Sequence, residues 1–140
     1  MIVRIVSWEE AGSALADIRR KVFIEEQHVP EHLEWDGLDE SAAHVLALGD
    51  QHLTIGCARM LPGGRIGRMA VLPAWRGHGV GRKMLEALLE LARAQKLQKV
   101  SLSAQTHAIR FYAGAGFKVC SDIYDDAGIP HRDMVLILSS

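Results

Sequence analysis

The chain has 140 residues, with 16 lysines and arginines against 17 aspartates and glutamates, which gives a formal net charge of −1. This length predicts a single domain over residues 1–140, and the balanced charge gives no indication of a nucleic-acid-binding surface. No apolar run is long enough for a leader or a membrane span, and two distant cysteines, Cys57 and Cys120, predict no disulfide framework or zinc site, so we expect a cytoplasmic protein with reduced thiols.

The chain begins with the pattern of a strand followed by a helix. Ile2–Val6 alternates apolar and polar residues, as a half-buried strand does. Ser7 and Glu10 have the spacing of a helix capping box. An apolar stripe then continues at helical spacing as far as Val22, so a helix is predicted over this stretch.

Residues 27–41 are predicted to form a loop or a broken helix, because Pro30 and Gly37 interrupt them. His28 and His32 are four apart, but Pro30 between them argues against a shared helical face and hence against a metal site. Two interpretations fit the acidic residues of the segment, a solvated loop or a surface that selects a cationic substrate. These residues are Glu31, Glu34, Asp36, Asp39 and Glu40.

Three strands are predicted next, joined by short turns. The first two, Ala43–Gly49 and Leu53–Leu61, have the pattern of an antiparallel pair. The third covers Arg65–Leu72 and contains Gly67, which allows a bulge or the close approach of a ligand to the backbone.

A stretch with glycine at alternate positions, residues 76–81, separates this strand from a patterned helix predicted over Arg82–Gln95. A dinucleotide fingerprint would need glycine at Arg82, and a P-loop would need serine or threonine after a Gly-Lys pair, so both are excluded. A helix N-terminus behind such a loop suits a phosphate or pyrophosphate. The alternative is an ordinary glycine-rich turn between a strand and a helix.

The last third of the chain predicts a strand, a helix and a closing hairpin. These are Lys99–Ser103, a helix capped by Thr106 and running to Ala113, and strands at Lys118–Tyr124 and Met134–Leu138. Hairpins together with a strand–helix–strand crossover indicate an α/β (α+β) fold with a mixed sheet and helices on its faces.

The pattern Arg76-x-x-Gly79-x-Gly81 after Met69–Val71 resembles the acetyl-CoA loop of the GCN5-related N-acetyltransferases, the GNAT family. Further segments in the same order resemble its ElaA-like and YjcF-like branch: Val22–Pro30, Glu34–Asp36, Ala104–Gln105, Phe111–Tyr112, Gly116–Phe117 and Asp126–His131. The resemblance covers essentially the whole chain. It implies the GNAT fold, with a mixed, mostly antiparallel central sheet flanked by helices.

The resemblance also implies a binding site for acetyl-CoA as cosubstrate and no metal. The pyrophosphate would lie on the backbone of residues 76–81, and the pantetheine arm would run beside the preceding strand, where it separates from Lys99–Ser103. The implied binding residues are Met69, Ala70, Val71, Arg76, Gly77, His78, Gly79, Val80, Gly81 and Arg82.

The implied activity is transfer of an acetyl group from acetyl-CoA to a primary amine of a small molecule or exposed amino group, by direct attack in a ternary complex. An alkylamine with a pKa of about 10.4 must lose a proton before it attacks. Candidate bases are Glu25, Glu26 and His44, although His44 also fits a satisfied histidine in a sheet. Tyr112 matches the tyrosine that protonates the departing thiolate in many members, and simple aromatic packing is its alternative.

Several questions stay open at this level. The amine acceptor, the role of His131 and the oligomeric state are not determined, although the resemblance makes a homodimer plausible. A non-catalytic acyl-CoA-binding or sensing domain would keep the glycine loop without needing Tyr112. A protein-interaction domain without a ligand is a third hypothesis.

Overall fold

One eight-stranded sheet runs through the computed structural model, which describes residues 1–138. Its strands are β1 (Ile2–Val6), β2 (Ala43–Leu48), β3 (Thr54–Leu61), β4 (Arg65–Val71), β5 (Lys99–Gln105), β6 (Lys118–Val119), β7 (Tyr124–Asp126) and β8 (Ile129–Ile137). They lie in the order β1-β2-β3-β4-β5-β8-β6, and β7 pairs with β8. All pairs are antiparallel except β4 and β5, which confirms the predicted mixed, mostly antiparallel sheet.

The helices are α1 (Trp8–Arg19), a π-helix (Arg20–Glu26) that continues α1, α2 (Glu31–Glu34), α3 (Val80–Ala94) and α4 (Ile109–Gly114). The predicted capping box is confirmed, because Ser7 Oγ accepts from Glu10 N at 3.1 Å and Glu10 Oε1 accepts from Ser7 N at 3.0 Å. The change from α-helix to π-helix at Arg20 was not predicted. Over seven residues, the spacing of apolar side chains does not distinguish a π-helix from an α-helix. No helix in residues 1–138 is long and apolar enough to cross a bilayer.

The two faces of the sheet carry different helices. On one face, α1 and the π-helix bury Leu15, Ile18 and Val22 against side chains that include Leu46 and Cys57. On the other face α3 buries the apolar stripe of the patterned helix, Met84, Leu85, Leu88, Leu89 and Ala92, together with Val80. Both layers hold β4 and the chain that follows it in place.

Helix α3 begins at Val80, two residues before the predicted start at Arg82. Gly79 is the reason: it adopts φ +82° as the N-cap residue, and its carbonyl oxygen accepts from Lys83 N at 3.1 Å. The helix also comes close to β3, because a Cβ on Gly56 would lie 3.0 Å from Met84 and Val80 side-chain atoms. The last glycines of residues 76–81 therefore belong to the helix terminus itself.

The C-terminal elements differ from the prediction in their bounds. The predicted strand at Lys118–Tyr124 is two short strands, β6 and β7, and both pair with β8. Strand β8 begins at Ile129 rather than at the predicted Met134. The polar residues Arg132 and Asp133 interrupt the apolar pattern, so the sequence did not indicate the earlier start. Residues 106–108 form a 3₁₀ turn before α4, and Thr106 makes no side-chain cap bond.

Strands β4 and β5 separate after a short parallel contact. Only Arg65 with Ser101 and Ile66 with Leu102 are paired between them. Just beyond, β4 carries a bulge opposite β3, at which Arg68 adopts φ +52°. The bulge adjoins Gly67, as the sequence allowed, and the separated strand ends leave the cavity in which the candidate site lies.

Candidate active site

A cavity of about 1210 Å³ lies where β4 and β5 separate. Its walls come from the π-helix and α2, from β4, from residues 76–82, from the end of β5 with α4, and from the β7–β8 hairpin. Elements from most of the chain thus meet at one opening, although they are far apart in sequence.

Residues 76–81, here called the glycine loop, present an open backbone to this cavity. Gly77 and Gly79 have φ angles of +80° and +82°, which residues with a Cβ rarely adopt. A Cβ built at either position would meet no atom within 4 Å, so the space above the loop is free. The unpaired N–H groups at the start of α3, a helix of 15 residues, complete a surface suited to an anion.

Most of the residues that the resemblance assigned to cosubstrate binding line the cavity. They are Met69, Ala70, Val71, Arg76, Gly77, Gly79, Val80, Gly81 and Arg82. His78 is the exception: it is exposed, packs edge-on against Trp75 with 6.3 Å between ring centroids, and is not part of the lining. The side chain of His78 therefore points away from the surface that the loop offers.

Arg76 connects the glycine loop to the π-helix. Its guanidinium donates two hydrogen bonds of 2.7 Å to the carboxylate of Glu26, and its Nε donates to Val71 O at 2.9 Å. The bonds from Arg76 hold the pKa of Glu26 below its ordinary value. Glu26 lines the cavity, as predicted for a base, but a carboxylate made less basic by an arginine is a weak proton acceptor.

Tyr112 reaches β4 from the opposite side of the split. Its hydroxyl lies 3.7 Å from the sulfur of Met69, just after the bulge, and burial raises the pKa of Tyr112 to about 12. The ring also packs edge-on with Phe111 and Phe117, at centroid distances of 5.0 and 6.0 Å. Tyr112 therefore combines aromatic packing with a position in the cavity, because the ring contacts fix a hydroxyl that faces the gap between β4 and β5.

Two of the predicted bases lie outside the cavity lining. Glu25 is exposed on the π-helix, and His44 is buried in β2 beside the ring of Trp8. His44 Nε2 donates to Asp39 O at 2.8 Å, because a carbonyl oxygen can only accept. Burial lowers the pKa of His44, so the ring is kept neutral in the sheet, which is the alternative that its strand position allowed.

Four of the five acidic residues in the segment 27–41 pair with arginines from other elements, and three of the four, Glu34, Asp36 and Asp39, share their arginines. Arg19 binds Glu34 at 2.8 Å and Asp39 at 2.6 Å. Arg59 binds Asp39 and Asp36, and Arg68 binds Glu34 and Asp36. We call this group the arginine–carboxylate network: Arg19, Arg59, Arg68, Glu34, Asp36 and Asp39.

The arginine–carboxylate network is balanced in charge and largely buried, with Arg19 1% exposed and Glu34 3% exposed. Hydrogen bonds from Arg59 hold the pKa of Asp36 well below its usual range. Burial alone would raise the pKa of Asp39, but bonds from Arg19 and Arg59 bring it below its ordinary value. Glu34 and Asp39 are thus buried, whereas Asp36 is more exposed but is held by Arg59 and Arg68. Both sequence interpretations are therefore wrong for Glu34 and Asp39, and none of the three carboxylates is free to select a cation.

The remaining wall combines amides, a histidine and apolar side chains. Gln105 Nε2 donates to Gln27 Oε1 at 2.9 Å, which joins the end of β5 to the π-helix, and His107 Nε2 lies 2.6 Å from Gln105 Oε1. Leu33 and Leu38 are 47% and 44% exposed and line the opening. Sequence reasoning did not assign Gln27 or Gln105 a role, although both lie in segments that resemble the family.

No group of three histidine, cysteine, aspartate or glutamate side chains in the described part of the chain is placed to hold a metal ion. Cys57 is buried, and burial raises the pKa of its thiol to about 12. The reactive groups around the cavity are therefore the glycine-loop backbone, the Tyr112 hydroxyl and the surrounding polar side chains.

A family model of the acetyltransferase (GNAT) domain matches residues 7–138. The chain therefore belongs to the GNAT family. YjcF of Bacillus subtilis, described as an uncharacterized N-acetyltransferase, is 36% identical over 121 residues, which cover 84% of this chain and 86% of YjcF. ElaA of Escherichia coli is 33% identical over 129 residues, covering 86% of this chain and 84% of ElaA. The predicted ElaA-like and YjcF-like relationship is thus confirmed.

Solved structures agree with the sequence relatives. The crystal structure of Escherichia coli ElaA superposes with a TM-score of 0.85 at 28% identity, covering 96% of this chain and 99% of ElaA. An acyl-CoA N-acyltransferase from Pseudomonas aeruginosa gives a TM-score of 0.85 at 30% identity, with 96% and 99% coverage. Membership of the GNAT family supports an acyl-CoA N-acyltransferase activity with a CoA-derived cosubstrate.

Proposed function

We propose that this GNAT protein is an acetyl-CoA-dependent N-acetyltransferase that acetylates a primary amine by direct attack within a ternary complex. The observation that carries the proposal is the open glycine loop at the N-terminus of α3, beside the split between β4 and β5. A nucleotide pyrophosphate and a thioester arm need these two features next to each other.

The donor side of the cavity consists of the glycine loop and the end of β4. Backbone N–H groups of residues 76–81 and the start of α3 would hold the pyrophosphate. Arg76 and Arg82 line the rim, and each is paired with a carboxylate, Glu26 and Glu86 respectively. Met69, Ala70 and Val71 would lie along the pantetheine arm, where β5 no longer occupies the edge of β4. The thioester would then reach the region of the Tyr112 hydroxyl.

The acceptor side consists of residues 27–38, Gln105 and the β7–β8 hairpin. The amine nitrogen forms a bond to the acetyl carbon, the carbon–sulfur bond breaks, and the electron pair leaves on the CoA sulfur. With a pKa of about 12 against roughly 8.5 for a thiol, full proton transfer from Tyr112 would cost about 5 kcal/mol. Tyr112 therefore stabilises the departing thiolate mainly as a hydrogen-bond donor.

The proposed activity is tested by measuring thiol release from acetyl-CoA with a panel of primary amines, in parallel with acetyl-CoA binding by calorimetry. Amine-dependent thiol release and the matching acetylated amine in the mass spectrum are the expected results. Saturable acetyl-CoA binding without turnover on any amine would instead favour the acyl-CoA-binding or sensing domain. Absence of binding would contradict both, and would favour a ligand-free interaction domain.

A further inference from the structure

His131 presents one ring nitrogen to the cavity, because a backbone carbonyl holds the other. It lies on β8, is 8% exposed and lines the cavity. Its Nδ1 is 2.7 Å from Ile129 O, and because a carbonyl oxygen can only accept, Nδ1 carries the proton. In the neutral ring the other nitrogen, Nε2, then holds a free lone pair.

The lone pair of His131 Nε2 faces the cavity. Within residues 1–138, Nε2 makes no hydrogen bond. The buried side-chain nitrogens and oxygens without a hydrogen bond are Arg59 Nε and Arg68 Nε, the latter in ionic contact with Glu34. Nε2 of His131 has no hydrogen bond and is not among these buried atoms, so it is accessible. Because His131 is only 8% exposed and lines the cavity, this access is from the cavity.

The sheet places His131 across the split from the donor side. Neighbouring strands run in the order β4, β5, β8, and His131 is paired with Gln105 at the end of β5. Gln105 in turn bonds Gln27 of the acceptor side. An amine that approaches the thioester from the acceptor side would pass this edge of the sheet.

His131 lies beside a hydrogen-bonded pair formed by a tyrosine and a carboxylate. Its ring stacks on Tyr124 with 6.2 Å between centroids and 23° between planes. Tyr124 donates to Asp133 Oδ1 at 2.7 Å, and Arg65 binds the same carboxylate at 3.1 Å. The hydrogen bond from Tyr124 keeps the pKa of Asp133 low, so this carboxylate carries a negative charge two residues from His131 on β8.

We propose that His131 is the general base of the acetyl transfer, with Nε2 taking the proton from the attacking amine. The inference rests on the proposed N-acetyltransferase function. The amine proton moves to Nε2 as the carbon–nitrogen bond forms, the carbon–sulfur bond breaks, and the thiolate leaves with a hydrogen bond from Tyr112. The imidazolium then gives its proton to solvent or to the thiolate, which restores the neutral ring.

His131→Asn tests this role, because an asparagine amide can still donate to Ile129 O but has no atom that replaces Nε2 as a base. The matched control is His52→Asn, which alters an exposed histidine outside the cavity lining, at a left-handed backbone position (φ +60°) that asparagine tolerates. The probe amine is 2-phenylethylamine, chosen for the apolar opening formed by Val29, Leu33 and Leu38. Thiol release is followed at saturating acetyl-CoA.

His131→Asn is expected to lower kcat/KM for the amine about 100-fold at pH 7, whereas His52→Asn stays near the wild-type value. Acetyl-CoA affinity should not change in either variant. Rate recovery in His131→Asn on going from pH 7 to 9 is also expected, since the free fraction of an alkylamine rises about 100-fold over that range. The other titratable or charged groups of the cavity wall are Glu26, Glu34, Asp36, Arg59, Arg65, Arg68, Arg76, Arg82, His107, Tyr112 and Asp126. Tyr124 stacks on the ring, and Arg132 and Asp133 follow His131 on β8.

The outcomes separate the two proposals. An active wild type with an equally active His131→Asn variant would contradict the role of His131 alone. A wild type that binds acetyl-CoA but releases no thiol with 2-phenylethylamine or any amine of the panel would contradict the enzymatic function, and this role with it. If His131→Asn does not fold, His131→Gln serves instead, and unchanged turnover in it would overturn the proposal in the same way.

Discussion

The donor and acceptor sides of the cavity consist of different chemical groups. The donor side is made of backbone, namely the positive-φ glycines Gly77 and Gly79 and the N-terminus of α3. The acceptor side is held by the arginine–carboxylate network, in which side chains from distant elements neutralise one another. A ligand meets unpaired N–H groups on one side, but on the other it meets charges that are already matched.

Acidic residues in a sequence therefore need not produce negative charge at a surface. The segment 27–41 has the composition of a cation-binding loop, yet Glu34 and Asp39 are buried by their arginine partners. The network fixes the shape of the acceptor side, whereas the glycine loop supplies binding groups. The predictions that follow test each half of this division.

The largest effect is expected for Arg59→Met, which removes one cation of the arginine–carboxylate network. Asp39 would keep Arg19 but lose its bond to Arg59, and Asp36 would lose its main partner. Removing one partner of a buried ion pair costs roughly 3–5 kcal/mol, and we expect a loss of that size in the free energy of unfolding measured by urea denaturation.

Arg20→Met is the matched control for Arg59→Met. Arg20 also pairs with an acidic residue of the same segment, Glu31 at 2.9 Å, but that pair is solvent-exposed. Its loss should leave the urea midpoint close to that of the wild type. Equal destabilisation by the two substitutions would show that burial of the network does not matter to stability.

A smaller but specific effect is expected for Tyr112→Phe. Phenylalanine keeps the packing with Phe111 and Phe117 and removes only the hydroxyl that lies 3.7 Å from Met69 sulfur. We expect kcat to fall about 100-fold, the lower end of the range for removing one hydrogen-bond donor to a developing negative charge, while calorimetry shows unchanged acetyl-CoA affinity. Turnover equal to that of the wild type would remove the role assigned to the hydroxyl.

The third effect is on the pH dependence of stability. The pKa values of Asp36 and Asp39 are lower in the native state than in the unfolded chain, so the unfolded chain binds more protons in acid. The stability that these groups provide is therefore complete above their unfolded pKa of about 3.9 and is lost as the pH falls towards their native values. Urea midpoints should decrease below about pH 4, and a smaller decrease is expected in Arg59→Met; an equal decrease in both proteins would contradict this assignment.

Features encoded within a few residues were predictable from the sequence. Ser7 and Glu10 form the capping box at the expected spacing, and the glycine loop occupies the expected turn. The bulge beside Gly67 was allowed by that glycine, but its position at Arg68 depends on pairing with β3. Helix caps and tight turns require particular residue types at nearby positions, so the glycine-loop side of the site could be predicted from the sequence.

Features that depend on distant partners were not predictable. Arg19 and Glu34 are 15 residues apart, Arg59 and Asp36 are 23 apart, and no spacing rule joins such pairs. His131 shows the same limit, since the identity of its neighbours depends on which strands lie beside β8. The start of β8 was missed for a related reason: its polar residues gave no clear strand pattern.

The central claim is that the glycine loop binds the pyrophosphate of acetyl-CoA, and the most direct test is a calorimetric titration of Gly79→Asn and Gly79→Asp. Both side chains tolerate the left-handed backbone conformation at φ +82°, and they differ by one negative charge. The charge would favour the helix N-terminus but repel a bound phosphate. We predict that Gly79→Asp binds acetyl-CoA at least about tenfold more weakly than Gly79→Asn, a difference of about 1.4 kcal/mol, while remaining no less stable to urea. Equal affinities in the two variants, or no acetyl-CoA binding by the folded wild type, would contradict the account.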